Sequence, residues 1–376
     1  MPAAGAPSLI DTPAPLIAAL QARGRRVVAP VERHGTLDFD VIAGPEDLPR
    51  GRVDVQGPGR FRLEDGDPGR WFDHVVGPKG PKHWLFPPDR RLVSVRRGAD
   101  GLEFDDAPEP FPPTAFLGVR ACEIAAMDMQ ARVFASGAAP DPDFARRRAA
   151  CLVIAVQCAR AAPTCFCDAQ ETGPRAETGW DLALTELDGR LLLEVGTAAG
   201  DEIAADLETR PAAPADLAEA RAATARAAAA QTRALPPTVA EALAATPEHP
   251  RWDDVAARCL DCGNCTAACP TCFCSDVIDV GGLDPDASER RRVWRSCFAL
   301  DFSEMHGGAV RSSTKSRYRQ WLTHKLSHWH AQFGASGCVG CGRCIAWCPA
   351  AIDLTEEAAA ISAGPGPGPG EREVGP

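Results

Sequence analysis

The run Cys259-x-x-Cys262-x-x-Cys265-x-x-x-Cys269-Pro270 occurs twice in this chain, the second time as Cys338-x-x-Cys341-x-x-Cys344-x-x-x-Cys348-Pro349. Three cysteines spaced in this way wrap one face of a cubane iron–sulfur cluster, while the fourth points away toward a second cluster. The spacing therefore predicts two 4Fe-4S clusters with crossed ligand sets. Cluster 1 is predicted to use Cys259, Cys262, Cys265 and Cys348, and cluster 2 to use Cys338, Cys341, Cys344 and Cys269.

Structural zinc is the main alternative for these cysteines. Zinc sites pair two Cys-x-x-Cys knuckles and need four ligands each, so a run of three spaced cysteines plus a fourth fits zinc poorly. The full spacing occurs twice, with proline after each fourth cysteine, and this favours clusters of the bacterial ferredoxin type. A zinc-stapled scaffold protein remains as a distant alternative.

Composition excludes several classes of protein. The chain has 376 residues, 16 cysteines and a formal net charge of -11. The acidic balance argues against nucleic acid as a main partner. No stretch approaches the roughly 18 unbroken apolar residues of a membrane span, and residues 1–24 lack the pattern of a secretory signal. We therefore expect a cytoplasmic protein whose cysteines serve metal or redox chemistry rather than disulfides.

The amino-terminal half shows the pattern of a mixed α/β domain. Residues 114–120 (TAFLGVR) and 151–157 (CLVIAVQ) have the pattern of buried strands, and residues 123–135 between them have helical spacing. This order predicts a βαβ unit with two parallel strands. Alternation over residues 181–195, centred on Asp-Gly at 188–189, predicts a hairpin.

The fold class predicted from these patterns is α+β. A mixed α/β domain is joined to a bacterial ferredoxin-like two-cluster domain that has a helical insertion. The predicted boundaries are 1–210 for the mixed α/β domain, 211–250 for a helical connector, 251–362 for the ferredoxin-like domain with its insertion at 275–337, and 363–376 for a disordered tail.

A second group of cysteines follows the predicted βαβ unit. Cys122 and Cys158 come just after the two strands, so both fall at the carboxyl edge of one sheet, where open α/β sheets build their sites. Cys165 and Cys167 lie in the next loop. These four cysteines predict a third 4Fe-4S cluster. The alternative is that Cys122 and Cys158 are small buried apolar side chains.

The pentapeptide Pro-Thr-Cys-Phe-Cys is present at 163–167 and again at 270–274. Its second copy and Cys297 supply three further cysteines, Cys272, Cys274 and Cys297, for which the sequence offers no obvious fourth cysteine, although His306 is available. We favour packing beside the ferredoxin-like core over a fourth cluster. Cys151 begins a buried strand and is predicted to belong to the core.

A positive segment interrupts this acidic chain. Residues 312–333 carry several lysines, arginines and histidines, and arginines cluster at 290–295. Docking of an acidic partner, shielding of negatively charged clusters and a solvated helix face are all compatible with this pattern. Only four of the basic residues are lysines, and we draw no function from that bias.

Several catalytic signatures are missing from the sequence. We find no G-x-G-x-x-G after a strand, no Walker A run and no G-x-S-x-G elbow. We therefore predict no catalytic residues. A flavin bound on the amino-terminal domain, which would make the chain an enzyme in its own right, is a weaker alternative.

The chain resembles the beta subunit of cytosolic nickel–iron sulfhydrogenases, close to the 4Fe-4S dicluster electron-transfer subunit of anaerobic sulfite reductase. The matching stretches run from about residue 80 to 353: 82–88 (KHWLFPP), 117–123 (LGVRACE), 141–147 (DPDFARR), 164–167 (TCFC), 173–174 (GP), 179–182 (GWDL), 258–274, 294–297 (WRSC) and 337–349. Glu123 departs from the aspartate usual in this family, and the first 70 residues match nothing in it.

The resemblance implies a non-catalytic electron-transfer subunit of a multisubunit oxidoreductase of the hydrogenase type. Its implied partners are a flavin- and NAD(P)-binding subunit and the hydrogenase small subunit. The alternative within the same class is the electron-transfer subunit of an anaerobic sirohaem sulfite reductase. Neither the terminal partners nor the direction of electron flow follows from the sequence.

Overall fold

The computed structural model describes residues 6–75, 77–136, 138–282, 284 and 286–364. The predicted tail at 363–376 lies outside the described residues from residue 365 onward. No helix among the described residues is long and apolar enough to cross a membrane.

Strands are found along most of the described chain. They are β1 (Ser8–Ile10), β2 (Arg26–Arg33), β3 (Thr36–Val41), β4 (Arg52–Gly57), β5 (Arg60–Asp65), β6 (Asp89–Gly98), β7 (Gly101–Asp105), β8 (Thr114–Val119), β9 (Cys151–Val156), β10 (Leu182–Leu187), β11 (Arg190–Val195), β12 (Arg210–Pro211), β13 (Ser275–Gly281), β14 (Ala287–Trp294), β15 (Glu304–Met305) and β16 (Gly308–Ala309).

The helices become denser toward the carboxyl end. They are α1 (Ala14–Ala22), α2 (Lys82–Leu85), α3 (Ala121–Phe134), α4 (Pro142–Ala149), α5 (Ala198–Ala204), α6 (Pro214–Ala229), α7 (Val239–Ala245), α8 (Arg251–Arg258), α9 (Asn264–Ala267), α10 (Thr314–Thr323), α11 (Trp329–Phe333), α12 (Arg343–Ala346) and α13 (Leu354–Ser362). A π-helical turn, His324–His328, joins α10 to α11.

A large mixed sheet forms the amino-terminal part, in the strand order β12-β1-β11-β10-β9-β8-β2-β3. Its centre is parallel: β2 pairs with β8, β8 with β9, and β9 with β10. Antiparallel strands close both sides, with β3 on β2 and β11 on β10. The predicted βαβ unit is confirmed by the parallel pair β8 and β9, and the predicted hairpin by β10 and β11.

Apolar residues bury both faces of the parallel centre of this sheet. Every residue of β8 and of β9 is buried, as expected for strands covered on both faces. Leu117, Ile154 and Leu184 belong to the apolar cluster on one face, with α1 packed against it. Phe116 and Val153 belong to the cluster on the other face, with Ile124 and Met127 of α3. This packing fixes the carboxyl ends of β8 and β9 beside each other.

A second sheet includes part of the insertion that the sequence predicts to be helical, so the structure differs from the prediction there. Its order is β13-β14-β6-β7, so the hairpin β13–β14 of the insertion pairs with strands from the amino-terminal part. In register, Arg292 lies opposite Arg90, and Val293 lies opposite Asp89. The insertion is therefore strand-rich in its first half and helical only in its second half, where α10 and α11 lie.

A separate apolar core holds the carboxyl-terminal part together. Trp252 of α8 packs with Tyr318, Trp321 and Leu322 of α10, and all four are buried. Ile361 of α13 belongs to the same cluster. Several cysteines of the two ferredoxin-type runs lie against this core, so it anchors the loops that carry them.

Candidate iron–sulfur sites

The thiols predicted for cluster 1 surround one cavity. We call them the first set: Cys259, Cys262, Cys265 and Cys348. Their loop begins where α8 ends, and Gly263, at a φ of +74°, turns the chain into α9. Burial raises the pKa of the Cys265 thiol, and the neighbouring Cys259 and Cys348 raise it further. Such thiols lose their protons when a metal binds, so the set suits iron.

Apolar side chains and solvent lie on opposite sides of the first set. Phe298, Tyr318 and Trp321 line the inner wall of the cavity. On the outer side Cys262 is exposed and Leu260 is 65% exposed. The first set is therefore the cysteine group that the structure brings closest to the surface. The Ile352 amide donates a hydrogen bond to the sulfur of Cys348 at 3.4 Å, a contact of the kind that tunes cluster potentials.

The thiols predicted for cluster 2 lie deeper. We call them the second set: Cys338, Cys341, Cys344 and Cys269. Cys269 and Cys338 are both buried. Burial raises the pKa of the Cys344 thiol, and the other three members of the set raise it further because they are its neighbours. The structure thus places Cys269 beside the second run and Cys348 beside the first. Cys344 also lines the cavity of the first set, and Cys269 is also a neighbour of Cys265. The crossed assignment of ligands to clusters stays a prediction.

A buried lysine faces the second set. Lys325, in the π-helical turn, directs its Nζ to the sulfur of Cys269 at 3.3 Å, to Thr271 Oγ1 at 3.0 Å and to the Gly337 carbonyl at 3.2 Å. Burial works against its charge, but the thiols of Cys269 and Cys272 raise the pKa of Lys325 above its ordinary value. A buried ammonium at this place would stabilise an anionic cofactor.

The four cysteines at the edge of the large sheet also come together. We call them the third set: Cys122, Cys158, Cys165 and Cys167. Burial raises the pKa of the Cys165 thiol, and its neighbours Cys167 and Cys158 raise it further. Cys122 has Cys341 and Cys167 as neighbouring thiols. The sheet edge therefore places the third set against a member of the second set.

Residues from three parts of the chain surround the third set. Arg120, between β8 and α3, directs Nη1 toward the sulfur of Cys158 at 4.0 Å. Gln231, after α6, donates a hydrogen bond to the sulfur of Cys167 at 3.4 Å. Gly173 lies so close that a Cβ built there would be 3.0 Å from the same sulfur. The surroundings combine one cation, one amide donor and close backbone packing.

Direct backbone contact joins the loops of the second and third sets. The Phe166 amide donates to the Gly340 carbonyl at 2.8 Å, and Thr172 Oγ1 donates to the Val339 carbonyl at 2.7 Å. A Cβ built on Gly340 would lie 2.5 Å from the Phe166 carbonyl oxygen. Only glycine allows this approach, so the two cysteine loops are packed as closely as backbone permits.

A buried ion pair fastens the same interface. Glu123 of α3 and Arg343 of α12 meet at 2.6 Å, with side chains 1% and 2% exposed. Arg343 Nε also donates to the Gly77 carbonyl at 2.7 Å. Glu123 follows Cys122 directly and Arg343 precedes Cys344, so this pair fixes the third set relative to the second.

The base of the β13–β14 hairpin gathers Cys272, Cys274 and Cys297. Ser275 pairs with Trp294, and the Arg295 amide donates to the Cys274 carbonyl at 2.9 Å. This register brings Cys274 and Cys297 from the two sides of the hairpin to one cavity, which Cys272 also lines. His306 lies exposed in the turn between β15 and β16 and lines neither this cavity nor the one next to it.

Cys151 takes no part in these groups. It is buried in β9, packs in the apolar cluster with Phe144 and Val153, and donates its thiol proton to the Arg147 carbonyl at 3.1 Å. The prediction that it belongs to the core is confirmed. Across the described residues, no three His, Cys, Asp or Glu side chains converge to the spacing of a single bound metal ion.

Much of the predicted positive segment is neutralised inside the chain. Lys315 pairs with Asp253 at 3.0 Å, and Arg319 with Glu248 at 3.1 Å. Arg317 pairs with Asp261, next to the first set. The upstream arginines find partners in the same way, for example Arg291 with Asp89 at 2.8 Å. Lys325 is the residue of this segment that reaches a cysteine of the second set, which supports shielding at that one position.

Sequence reasoning missed the two lysines that lie among the cysteines, Lys82 and Lys325. Lys82 of α2 is 5% exposed, donates from Nζ to the Cys269 carbonyl at 3.0 Å and stacks over the Trp294 ring at 3.8 Å. Lysine is rare in this arginine-rich chain. This rarity is the sequence signal that could have singled out Lys82 and Lys325. Lysine carries a compact ammonium on a flexible stem, whereas the guanidinium of arginine is a planar fork, so the two are not interchangeable at a buried site.

Comparison with known proteins agrees with this geometry. Residues 258–352 match the family model described as a 4Fe-4S dicluster domain. The chain is also similar to sulfhydrogenase 2 subunit beta of Pyrococcus furiosus, with 29% identity over 275 residues, covering 72% of this chain and 80% of that protein.

Fold and site together define an iron–sulfur protein that carries a ferredoxin-like 4Fe-4S dicluster domain on an α+β framework. Within that class, the match to a sulfhydrogenase beta subunit confirms the predicted resemblance to this family. Two 4Fe-4S clusters are its expected cofactors.

Proposed function

We propose that this chain relays electrons between a flavin- and NAD(P)-binding subunit and the small subunit of a nickel–iron hydrogenase module. The similarity to a sulfhydrogenase beta subunit over most of both chains supports this role. The predicted absence of a catalytic site is consistent with a subunit that passes electrons to chemistry performed elsewhere. A cytoplasmic location remains a prediction.

The ligands that we propose are the first, second and third sets, with one 4Fe-4S cluster on each. The observation that carries the proposal is the packing of the loop at Phe166 against Gly340, which places the third set beside Cys341. Each cluster, when bound, accepts or donates one electron at a time. A single connected series of thiol groups then leads from the buried sheet edge to the exposed side at Cys262.

The protein's own groups set the conditions for electron transfer. Lys325 places a positive charge next to Cys269, which favours the reduced, more negative form of a cluster on the second set. The Ile352 amide has the same effect, more weakly, at Cys348. Phe298, Tyr318 and Trp321 exclude water from the inner wall of the first set. These contacts support different potentials for the buried and the exposed sets.

The first experiment is to measure iron, zinc and acid-labile sulfide in the anaerobically purified chain. We expect at least about twelve irons with matching sulfide, and about four fewer in Cys165→Ala. Cys151→Ala is the matched control, since it removes a buried thiol outside the three sets and should leave the iron content unchanged. An iron content that is the same in Cys165→Ala as in the wild type would refute the third cluster, and zinc without sulfide would refute the whole relay.

Ligand crossing and partners need separate tests. Cys269→Ser should damage the cluster of the second set, and Cys348→Ser that of the first, as resolved by EPR on the reduced protein. The opposite assignment would show that the sets are not crossed. A tagged chain purified from its native cells should carry hydrogenase subunits and a flavoprotein, and reduction of its clusters by hydrogen should depend on the hydrogenase. A sirohaem-containing partner would instead favour the sulfite reductase alternative.

A further inference from the structure

Three cysteines outside the three sets share one environment. Cys272, Cys274 and Cys297 line a cavity together with Lys325 and His324. Cys272 and Cys274 also line a neighbouring cavity, with Lys82 on its wall. The hairpin base fixes this arrangement through the pairing of Ser275 with Trp294 on the two strands. The group is therefore a product of the fold and not of a flexible loop.

Two buried cations lie at this group without a carboxylate. Lys82 and Lys325 are each 5% exposed. Lys82 contacts the Cys269 carbonyl and the Trp294 ring, and Lys325 contacts Cys269, Thr271 and Gly337. In the part of the chain that the structure describes, no carboxylate lies within ion-pair distance of either ammonium. Burial of two like charges is costly unless an anion lies nearby.

An anionic cluster on the second set would compensate only part of the positive charge of Lys82 and Lys325. Lys325 faces the sulfur of Cys269 and is shared between the second set and the three cysteines. Lys82 donates to the carbonyl of Cys269, and the thiols of Cys272, Cys269 and Cys274 all lie near its ammonium. Two of these three thiols, Cys272 and Cys274, lie outside the second set, so an anion that they hold would also face Lys82.

The cavity that all three cysteines line has a volume of about 20 Å³, close to the volume of about 30 Å³ of the cavity at the first set. The cavity beside Lys82, which Cys272 and Cys274 line but Cys297 does not, is larger, at about 250 Å³. Its wall combines thiols with the Trp294 ring and the Lys82 stem. Cysteine thiols with buried positive charge nearby are the donor set of iron–sulfur clusters, whose net charge is negative.

We propose that Cys272, Cys274 and Cys297 hold a fourth iron–sulfur cluster, with Lys82 and Lys325 as its counter-charges. Three thiolates leave one iron without a cysteine ligand. His324, which lines the same cavity, offers an imidazole to that iron. The site stands on its own residues, and it does not depend on whether the third set binds a cluster.

The test compares iron in the full-length wild type, Cys297→Ala and Cys151→Ala after anaerobic purification. Cys297→Ala should lose about four irons and an equal amount of sulfide, and Cys151→Ala should lose none. Combining Cys297→Ala with Cys165→Ala should remove about eight, because the two sites are independent. Wild-type iron content in Cys297→Ala overturns the fourth cluster but leaves the proposed relay intact. A loss of iron in Cys165→Ala but not in Cys297→Ala likewise overturns the fourth cluster and leaves the proposed relay intact.

A measurement on the wild type covers the case in which Cys297→Ala does not fold. A cluster with three cysteine ligands has one chemically distinct iron, so Mössbauer spectra of the iron-57 protein should contain a separate doublet of about one iron per chain. The doublet should change in His324→Ala. Spectra that contain only all-cysteine clusters, or mass spectra that show Cys274 joined to Cys297 as a disulfide in the iron-loaded protein, overturn the proposal.

Discussion

The buried pair of Glu123 and Arg343 gives the sharpest prediction about stability. Glu123→Gln keeps the shape of the side chain but leaves the Arg343 guanidinium, 2% exposed, without its anion. Removal of one partner from a buried ion pair costs about 3–5 kcal/mol. If all 376 residues unfold together, an unfolding entropy of about 2.1 cal/mol/K per residue converts this cost to a fall in Tm of about 4–6 °C.

The control for this prediction is an exposed ion pair of similar length. Asp279 and Arg290 meet at 2.7 Å with side chains 70% and 55% exposed, and Asp279→Asn should leave the Tm almost unchanged because water screens this pair. The assay is thermal unfolding of the iron-loaded protein under anaerobic conditions, followed by circular dichroism and by visible absorption of the clusters. Glu123→Asp, which keeps the carboxylate on a shorter side chain, should have a Tm between that of the wild type and that of Glu123→Gln.

The position of the pair predicts a further effect. Glu123 lies next to Cys122 and Arg343 next to Cys344, so Glu123→Gln should also loosen the third set before the first. Visible absorption should then show partial loss of iron ahead of global unfolding. Equal Tm shifts for Glu123→Gln and Asp279→Asn would refute the argument, since burial is the difference between the two pairs.

Three other perturbations follow from single contacts. Lys325→Met removes the cation 3.3 Å from the Cys269 sulfur and should lower the reduction potential of the second cluster by on the order of 100 mV in a redox titration. Lys315→Met, on the same basic segment, is the control and should leave this potential unchanged. The same potential in both variants would contradict the shielding role of Lys325. Gly340→Ala and Gly334→Ala both place alanine at positive φ, at a cost of about 1–2 kcal/mol. Of these two glycines, only Gly340 faces the Phe166 carbonyl. Iron analysis should therefore show a loss of iron in Gly340→Ala and none in Gly334→Ala. His74 is 3% exposed, and burial, followed by Arg120 and Arg160, lowers its pKa well below the ordinary value. The unfolded chain then binds a proton that the folded chain does not, so the free energy of unfolding should fall by about 1.4 kcal/mol per pH unit below about pH 6.5. Urea midpoints of His74→Phe, measured over the same pH range, should lack this fall. A pH profile of His74→Phe that is the same as that of the wild type would contradict the role of His74.

Local pattern was sufficient for the parts of the fold that depend on neighbouring residues. The strands β8 and β9 are continuous apolar runs, and their burial on both faces follows directly from that. The β10–β11 hairpin follows from alternation around an Asp-Gly pair. The cysteine runs were equally informative, because ligand spacing is a local property of the chain.

The second sheet was not predictable in the same way. The strand β14 contains Arg290, Arg291 and Arg292, which hide its alternation, and its partner β6 lies far away in the sequence. Pairing between such distant segments has no local signature. For the same reason the burial of Lys82 and Lys325 could not be inferred, since each is surrounded by residues from other parts of the chain.

The crossed grouping of the first and second sets has a consequence for how the protein is made. In the proposed ligand sets Cys348 serves with Cys259, and Cys269 serves with Cys338; the thiol neighbours of Cys265 and Cys344 support this assignment. A chain still on the ribosome therefore completes neither set until almost all of its described residues have emerged. The third set, by contrast, is complete once Cys167 has been synthesised. Under the proposed ligand sets, iron delivery to the nascent chain would begin at the sheet edge, whereas the ferredoxin-type loops would wait until Cys344 and Cys348 have been synthesised.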